Sequence, residues 1–281
     1  MEPQYYTPPS AKGLEWSGRT DRGRVRKNNE DAFLALQFDA REIHYLGALG
    51  DGALGRMDYA FAVSDGMGGA RAGEFASRIA VDKITSLLPK CFLQSAAGLD
   101  AGFPDVMQEL FAEIHEALTY LGTSEAECAG MEATLSLCWF TPGRMYFGHV
   151  GDSRIYYLSN RTKRIRQLSH DDTHVGWLLR NGKINEREAR FHPRRNVLQK
   201  ALGGSNQFVD PQVGAVTYEV GDSFLICSDG LIEGLYDHAI TDILRATQPP
   251  PQGWTTAHWL VEESLARDGR DNITALAIKV V

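Results

Sequence analysis

Apolar residues recur along this chain in short runs more often than in long amphipathic stripes. Residues 32–36, 59–64 and 223–227 are compact apolar runs of strand length. Residues 134–140, 144–150 and 154–158 are separated only by Thr-Pro-Gly and Gly-Asp-Ser, which predicts an antiparallel meander. Residues 273–281 alternate apolar and polar and predict one more strand. Helical spacing is rarer. Phe75, Ile79, Ile84, Leu87 and Leu88 share a helix face, and Pro89 is expected to stop that run. Val106, Leu110, Ile114, Ala117 and Leu121 predict an amphipathic helix over 104–121, and 256–266 reads as a third. Residues 14–36 begin as a turn-rich loop. The Gly-rich stretch 37–58 reads as an insertion or extended hairpin loop, and 174–195 as a charged excursion. The Pro-rich residues 1–13 read as a loose arm. With no repeat and no long linker, 14–281 is expected to be one domain. Strands dominate, with two helices early and one late, so the fold class is α+β with antiparallel sheets rather than alternating βαβ.

At 281 residues and 43% hydrophobic, the chain can bury a sizeable core. Its net charge is −7 and it has no long Lys/Arg run, which argues against a nucleic-acid partner. The four cysteines, at 91, 128, 138 and 227, form no CxxC pair and read as reduced thiols. No apolar run is long enough to span a bilayer and the first residues lack a leader pattern, so a cytoplasmic protein without a membrane partner is expected.

The candidate chemistry lies where a strand or loop gives way to a short acidic turn: Glu30-Asp31, Asp65-Gly66, Asp229-Gly230 and Asp271-Asn272. A carboxylate leaving a buried strand is fixed at the sheet edge, and a following Gly lets the backbone approach a cation. Any one Asp-Gly is an ordinary turn dipeptide. Four such acidic turns, spread over more than 200 residues, fit one cation cluster. Arg26 lies four residues before Glu30 in Arg-Gly-Arg-Val-Arg-Lys, otherwise a solvated basic loop. His149 reads as a strand or core histidine, Asp152 as the maker of a tight turn with Arg154 beside it, and Glu74 as a carboxylate complementing a helix N-terminus.

The stretch from Thr20 to Asp31, TDRGRVRKNNED, resembles the opening signature of the metal-dependent protein phosphatase family, 2C type, in its bacterial form. Asp65-Gly-Met-Gly-Gly69, His149-Val-Gly-Asp-Ser-Arg154, Leu168-Ser-His-Asp171, Ser228-Asp-Gly230 and Asp271-Asn272 follow in the family's order. The resemblance implies two stacked antiparallel sheets flanked by helices on both outer faces. It implies Mg²⁺ or Mn²⁺ as cofactor, with two core ions and a third, weaker one. Asp65 resembles the bridging carboxylate and Gly66 a carbonyl ligand. Asp229 and Asp271 resemble ligands of the second ion, Glu30 the holder of a metal-bound water, and Asp31 its support. Asp171 resembles the extra ligand of the third site and Arg26 the grip on substrate phosphate. Arg26, Asp65 and Asp229 are thus the expected catalytic residues. The implied reaction is attack by a metal-bridging water on phosphoserine or phosphothreonine. Oxygen ligands suit Mg²⁺ or Mn²⁺, and arginine's planar fork fits phosphate. The resemblance implies a signalling role with phosphorylated proteins, a serine/threonine kinase and its substrates as partners, and a monomer is expected.

The chain departs from the family pattern at Met67, at Ala70, across 131–134 and after Asp171, where Asp172-Thr173 follows. No core metal aspartate is lost, which weighs against an inactive phosphopeptide-binding module on the same fold. Cys138 to Arg144 satisfies the C-x5-R spacing of thiolate phosphatases, but strand–turn–strand is the wrong setting for that chemistry. Residues 174–195, just after Asp171, are expected to form a flap that selects substrates.

Overall fold

The computed structural model describes residues 11–68, 72–96, 102–204 and 209–281. The strands are β1 (Gly13–Asp21), β2 (Asp31–Phe38), β3 (Ile43–Tyr45), β4 (Leu49–Ala53), β5 (Asp58–Met67), β6 (Glu132–Ala133) and β7 (Leu135–Thr141). They continue as β8 (Arg144–Val150), β9 (Arg154–Leu158), β10 (Ile165–Gln167), β11 (Leu202–Gly203), β12 (Gln212–Thr217), β13 (Ser223–Cys227) and β14 (Ile273–Val280). The helices are α1 (Ala72–Ala96), α2 (Phe103–Ser124), α3 (His174–Arg180), α4 (Glu186–Arg190), α5 (Asp229–Gly234), α6 (Asp237–Leu244) and α7 (Thr256–Arg267).

One sheet runs β10-β9-β13-β14-β1-β4, and the other runs β11-β6-β5-β7-β8-β12 with β2 and then β3 added beside β5. Strand alternation builds three apolar layers. Tyr59, Phe61 and Val63 of β5 face Phe224, Ile226, Leu276 and Ile278 between the sheets. Ala60 and Ala62, on the other side of β5, pack under α1 and α2 with Ala76, Ile84, Leu110 and Phe111. Leu225, Cys227, Ala275 and Ala277 turn outward onto Leu231, Leu260 and Val261 of α5 and α7. The alanines on the helix-facing sides let the helices settle close to the sheets. The result is the α+β sandwich with antiparallel sheets and helices on both outer faces.

The structure differs from the sequence reading in four places. The stretch expected as a turn-rich loop begins with β1, and Lys12 and Gly13 already donate to the Val281 carbonyl at 2.7 and 3.0 Å. The arm therefore ends before residue 12, and its residues 1–10 lie outside the described residues. The 37–58 stretch is no free loop: β3 extends β2, while β4 crosses to pair with β1 at the edge of the other sheet. Helix α1 does not stop at Pro89 but continues to Ala96. A proline inside a helix costs about 3 kcal/mol. Here it is offset by burial of Leu87, Leu88 and Ile84 in the preceding turns. The excursion at 174–195 is a helix pair, with Thr173 capping α3 and Asn185 capping α4 through their side chains. No helix among the described residues is long and apolar enough to cross a membrane.

Candidate metal centre

Antiparallel pairing brings every acidic turn to one edge of the sandwich. Asp31 opens β2 directly opposite Asp65 near the end of β5, a cross-strand separation of about 5 Å between Cα atoms. Cys227, which ends β13, pairs with Ala275 near the start of β14, so Asp229 and Asp271 leave the other sheet on the same side. Arg154 at the start of β9 pairs with Cys227, which adds the turn Gly151-Asp152-Ser153 to that edge.

Short side chains fix these turns. Ser228 Oγ and Thr274 Oγ1 both donate to Asp31 Oδ2 at 2.7 Å, and the Thr274 N–H donates to Ser228 Oγ at 2.9 Å. Asp31 thereby joins the two sheets. Thr134 clamps Asp65: its hydroxyl accepts the Asp65 N–H at 3.1 Å and its N–H donates to the Asp65 carbonyl at 2.8 Å. Asn272 Oδ1 accepts the Glu30 N–H, and its amide donates to the carbonyls of Arg22 and Asn28, all at 2.8–2.9 Å. Asn272 therefore shapes the whole loop that carries Arg26 and Glu30. Gly66 lies against the Gly73 backbone so closely that a Cβ would collide with the Gly73 carbonyl. A Cβ at Gly73 would in turn meet Glu30 Oε2 at 2.8 Å and the Gly66 carbonyl at 2.9 Å. Both positions require glycine to keep the Gly66 carbonyl beside the Glu30 carboxylate.

The electrostatics of this edge are those of crowded buried acids. Burial, then Asp31, Asp229, Asp152 and Asp271, hold the Asp65 carboxyl well above the carboxylate range. Burial, then Asp152, Asp271, Glu233 and Asp31, do the same to Asp229. Burial pushes Asp31 up to about 6 against its two hydroxyl donors. Glu30 is raised by burial and, less, by Asp271 and Glu74, with Arg26 opposing. Asp31 Oδ1 and Asp229 Oδ1 are buried with no hydrogen-bond partner. Unpartnered buried carboxylate oxygens need an explanation, and a hard divalent cation supplies one. The donor set is oxygen only, which fits Mg²⁺ or Mn²⁺. No group of three or more His, Cys, Asp or Glu side chains among the described residues is already closed around a point. Like charges without a cation between them stay apart, and neighbouring arginines hold two of them aside.

Those arginines bear on two expected roles. Arg26 Nη2 donates to Asp271 Oδ2 at 2.7 Å, while its side chain is half exposed. Arg154 makes a two-pronged pair with Asp171, Nε to Oδ1 at 2.9 Å and Nη2 to Oδ2 at 2.6 Å, and Gln167 donates to Oδ1 at 2.8 Å. Both Asp171 oxygens are thus committed, and against its burial Arg154 holds the Asp171 carboxyl below its usual range. Asp152, read from sequence as a turn former, lies buried among the site's carboxyls and is pushed up to about 7 by burial and by Asp171. Its Gly-Asp-Ser turn after an apolar strand is the same signal that marked Asp65 and Asp229. His149 is buried and held neutral chiefly by burial. It accepts from Ser136 at Nδ1, and Nε2–H points at the carbonyls of Gly151 and His170. Glu74 pairs with Arg78 at 3.2 Å. Gly69 and Ala70 lie outside the described residues. Cys138 is buried between the sheets with its thiol pushed up by burial, so it carries no reactive thiolate.

Residues 48–263 match the family model described as protein phosphatase 2C. The chain belongs to that family. It is 33% identical over 273 residues to the serine/threonine protein phosphatase PstP of Mycobacterium tuberculosis, covering 95% of this chain and 45% of PstP. The chain thus spans less than half the length of that relative. It is 32% identical to the serine/threonine phosphatase stp of Listeria welshimeri, over 93% of this chain and 94% of that one. The solved catalytic domain of PstP in complex with two manganese ions is similar with a TM-score of 0.73 and 29% identity, over 96% of this chain and 99% of that one. In this 2C-family chain the crowded carboxyls have a measurable consequence. Each raised group binds its proton more tightly folded than unfolded. Its contribution is present below about pH 4 and is lost as pH rises through about 6 for Asp31 and about 7 for Asp152. A divalent cation bound among these carboxyls would replace those protons. Differential scanning fluorimetry should show saturating Mn²⁺ raising Tm by several degrees more at about pH 8 than at about pH 5. Equal shifts at both would contradict the cluster.

Proposed function

We propose that the protein is a Mg²⁺- or Mn²⁺-dependent phosphatase of phosphoserine and phosphothreonine proteins. The observation that carries this reading is the convergence of Asp31, Asp65, Asp152, Asp229 and Asp271 on one edge, with two buried oxygens unpartnered. Asp65, the Gly66 carbonyl, Asp229 and Asp271 would hold two ions, with Glu30 and Asp31 behind them. Asp152 suits a third ion beside Asp229 better than Asp171 does, because Arg154 and Gln167 already occupy Asp171. When bound, such ions neutralise a phosphate dianion and acidify a nucleophilic water.

The chain's own groups do the rest. Asp31 stays pinned by Ser228 and Thr274, so its free oxygen keeps one direction. Asn272 sets the loop height of Arg26 and Glu30. The Arg26 guanidinium uses one N–H on Asp271 and presents its others outward, where a phosphate approaching the edge meets a planar fork. A phosphorylated protein segment suits a site set in turns at the sheet edge with the half-exposed Arg26 beside it. Free thiols at Cys128, Cys138 and Cys227 support a reducing, cytoplasmic setting. A serine/threonine kinase that makes such phosphoproteins is the proposed functional counterpart.

The experiment is hydrolysis of a phosphothreonine peptide and of p-nitrophenyl phosphate by EDTA-stripped protein, with Mn²⁺ or Mg²⁺ restored. Turnover that requires the metal supports the reading. Folded protein inactive with either ion would favour a phosphopeptide-binding module instead. Cys138→Ser is expected to keep full turnover in the folded protein and to cost about 1–3 kcal/mol of stability, because it buries a hydroxyl in the apolar layer between the sheets. Loss of turnover from still-folded Cys138→Ser protein would reinstate thiolate chemistry.

A further inference from the structure

The pair α3–α4 and the loop after it carry a charge balance opposite to that of the rest of the chain. Residues 180–200 hold seven basic and two acidic side chains, in a protein of net charge −7. Four of the cations build the structure. Arg180 donates to the Asp171 carbonyl at 2.8 Å, Arg195 pairs with Glu233 at 2.9 Å, and Lys200 lies 3.4 Å from Asp210. Arg190 donates to the carbonyls of Glu233 and Leu235 at 2.9 and 3.0 Å and stacks on Tyr236, 3.7 Å from the ring centroid. The other three, Lys183, Arg187 and Arg194, are exposed and make no ion pair among the described residues. Beside them Phe191 is 72% exposed and Val197 53%. A solvated face accounts for unpaired cations, but not for a phenyl ring left in water among them.

The surface adjoins the metal centre. Glu233, which receives Arg195 and Asn196 at 2.9 and 3.2 Å, sits four residues after Asp229 in α5. That places the two Cα atoms about 6 Å apart along the helix axis. We propose that Lys183, Arg187, Phe191, Arg194 and Val197 form a docking surface for an acidic stretch of the phosphoprotein substrate, with an apolar residue of that stretch seated on Phe191. This rests on the phosphatase reading above and names the substrate class it selects. Complementary charge decides the occupant: in a chain of net charge −7 this face presents three cations, unpaired among the described residues, beside an exposed phenyl ring, so an acidic segment is steered to the rim proposed to hold the phosphate.

The test uses three phosphothreonine peptides that differ only in their flanks: acidic with one leucine, neutral, and basic. The wild-type chain should hydrolyse the acidic peptide with about tenfold higher kcat/KM than the neutral one, through KM, and the difference should shrink in about 0.5 M salt. The double variant Arg187→Glu/Arg194→Glu should reverse the order, and Phe191→Ser should remove the benefit of the leucine. Turnover of p-nitrophenyl phosphate should be unchanged in every variant, which separates failure of docking from failure of catalysis. Equal kcat/KM for acidic and neutral peptides, or a preference that survives charge reversal, would overturn the proposal. Should the chain hydrolyse nothing, fluorescence anisotropy of the acidic peptide decides: Kd must weaken about tenfold in the double variant. Co-sedimentation with phosphatidylserine vesicles, lost in the same variant while all peptides react alike, would assign the face to a membrane surface and overturn it too.

Discussion

Asp65→Asn is expected to lower metal-dependent turnover by about a thousandfold without weakening the fold. The two effects come from the same contacts. Asp65 is buried, faces Asp31 across the β2–β5 ladder, and feels Asp229, Asp152 and Asp271. Removing its charge removes a central oxygen anion from the proposed cation site. Loss of about 4 kcal/mol of charge stabilisation in the transition state corresponds to about a thousandfold in rate. The amide keeps the shape and leaves the backbone clamp of Thr134 intact. It also relieves like-charge repulsion, so the metal-free variant should melt at or above the wild-type temperature at about pH 8. A residue held only for structure would behave the other way, losing stability first and activity with it. Parallel melting curves and rates with and without Mn²⁺ check both halves. Retained metal-dependent turnover would remove Asp65 from the site.

Arg154→Met is expected to be among the most destabilising single changes in the protein. Its guanidinium is the counter-charge of a largely buried carboxylate, bonded to both Asp171 oxygens and, at 2.9 Å, to the Tyr156 hydroxyl. Breaking such a pair from one side costs about 3–5 kcal/mol because the remaining charge stays buried. For a domain of this size the melting temperature should fall by roughly 10 °C. The loss should be partly recovered by Asp171→Asn in the same chain, since the orphan charge is then gone. Urea unfolding of both singles and the double gives the coupling. A change of less than about 1 kcal/mol in Arg154→Met would mean that water reaches the pair.

The site was more legible in the sequence than the frame around it, for physical reasons. An aspartate in a short turn bordering an apolar strand is a local signal, and all four such turns reached the same edge. Asp152 carries that signal too, in Gly-Asp-Ser, but its turn also suits a hairpin and reads as one. The work of Asn272 is illegible locally: its three partners, Arg22, Asn28 and Glu30, lie more than 240 residues away in the chain. Strand β1 escaped because only Leu14 and Trp16 face the core, while Ser17, Gly18 and Thr20 look like turn residues. Strand β4, Leu-Gly-Asp-Gly-Ala, has almost no strand propensity and is held by pairing with β1 and by the Tyr59 hydroxyl on the Ala53 carbonyl. Pro89 reads as a stop because its local cost is visible and the packing that offsets it is not. The stretch with Phe191 and its basic neighbours reads in sequence as a charged excursion and a substrate-selecting flap, but that the phenyl ring stands exposed is not legible there, since burial is not written in composition.

The central claim is that carboxylates from separate segments form one cation site. Calorimetric titration of Mn²⁺ into EDTA-stripped protein at about pH 7.5, beside Asp229→Ala, tests it most directly. The account predicts at least two ions per wild-type chain and loss of at least one of them in the variant, whose fold stays intact by circular dichroism. No saturable Mn²⁺ binding by the wild type, or identical isotherms for the two proteins, would contradict it.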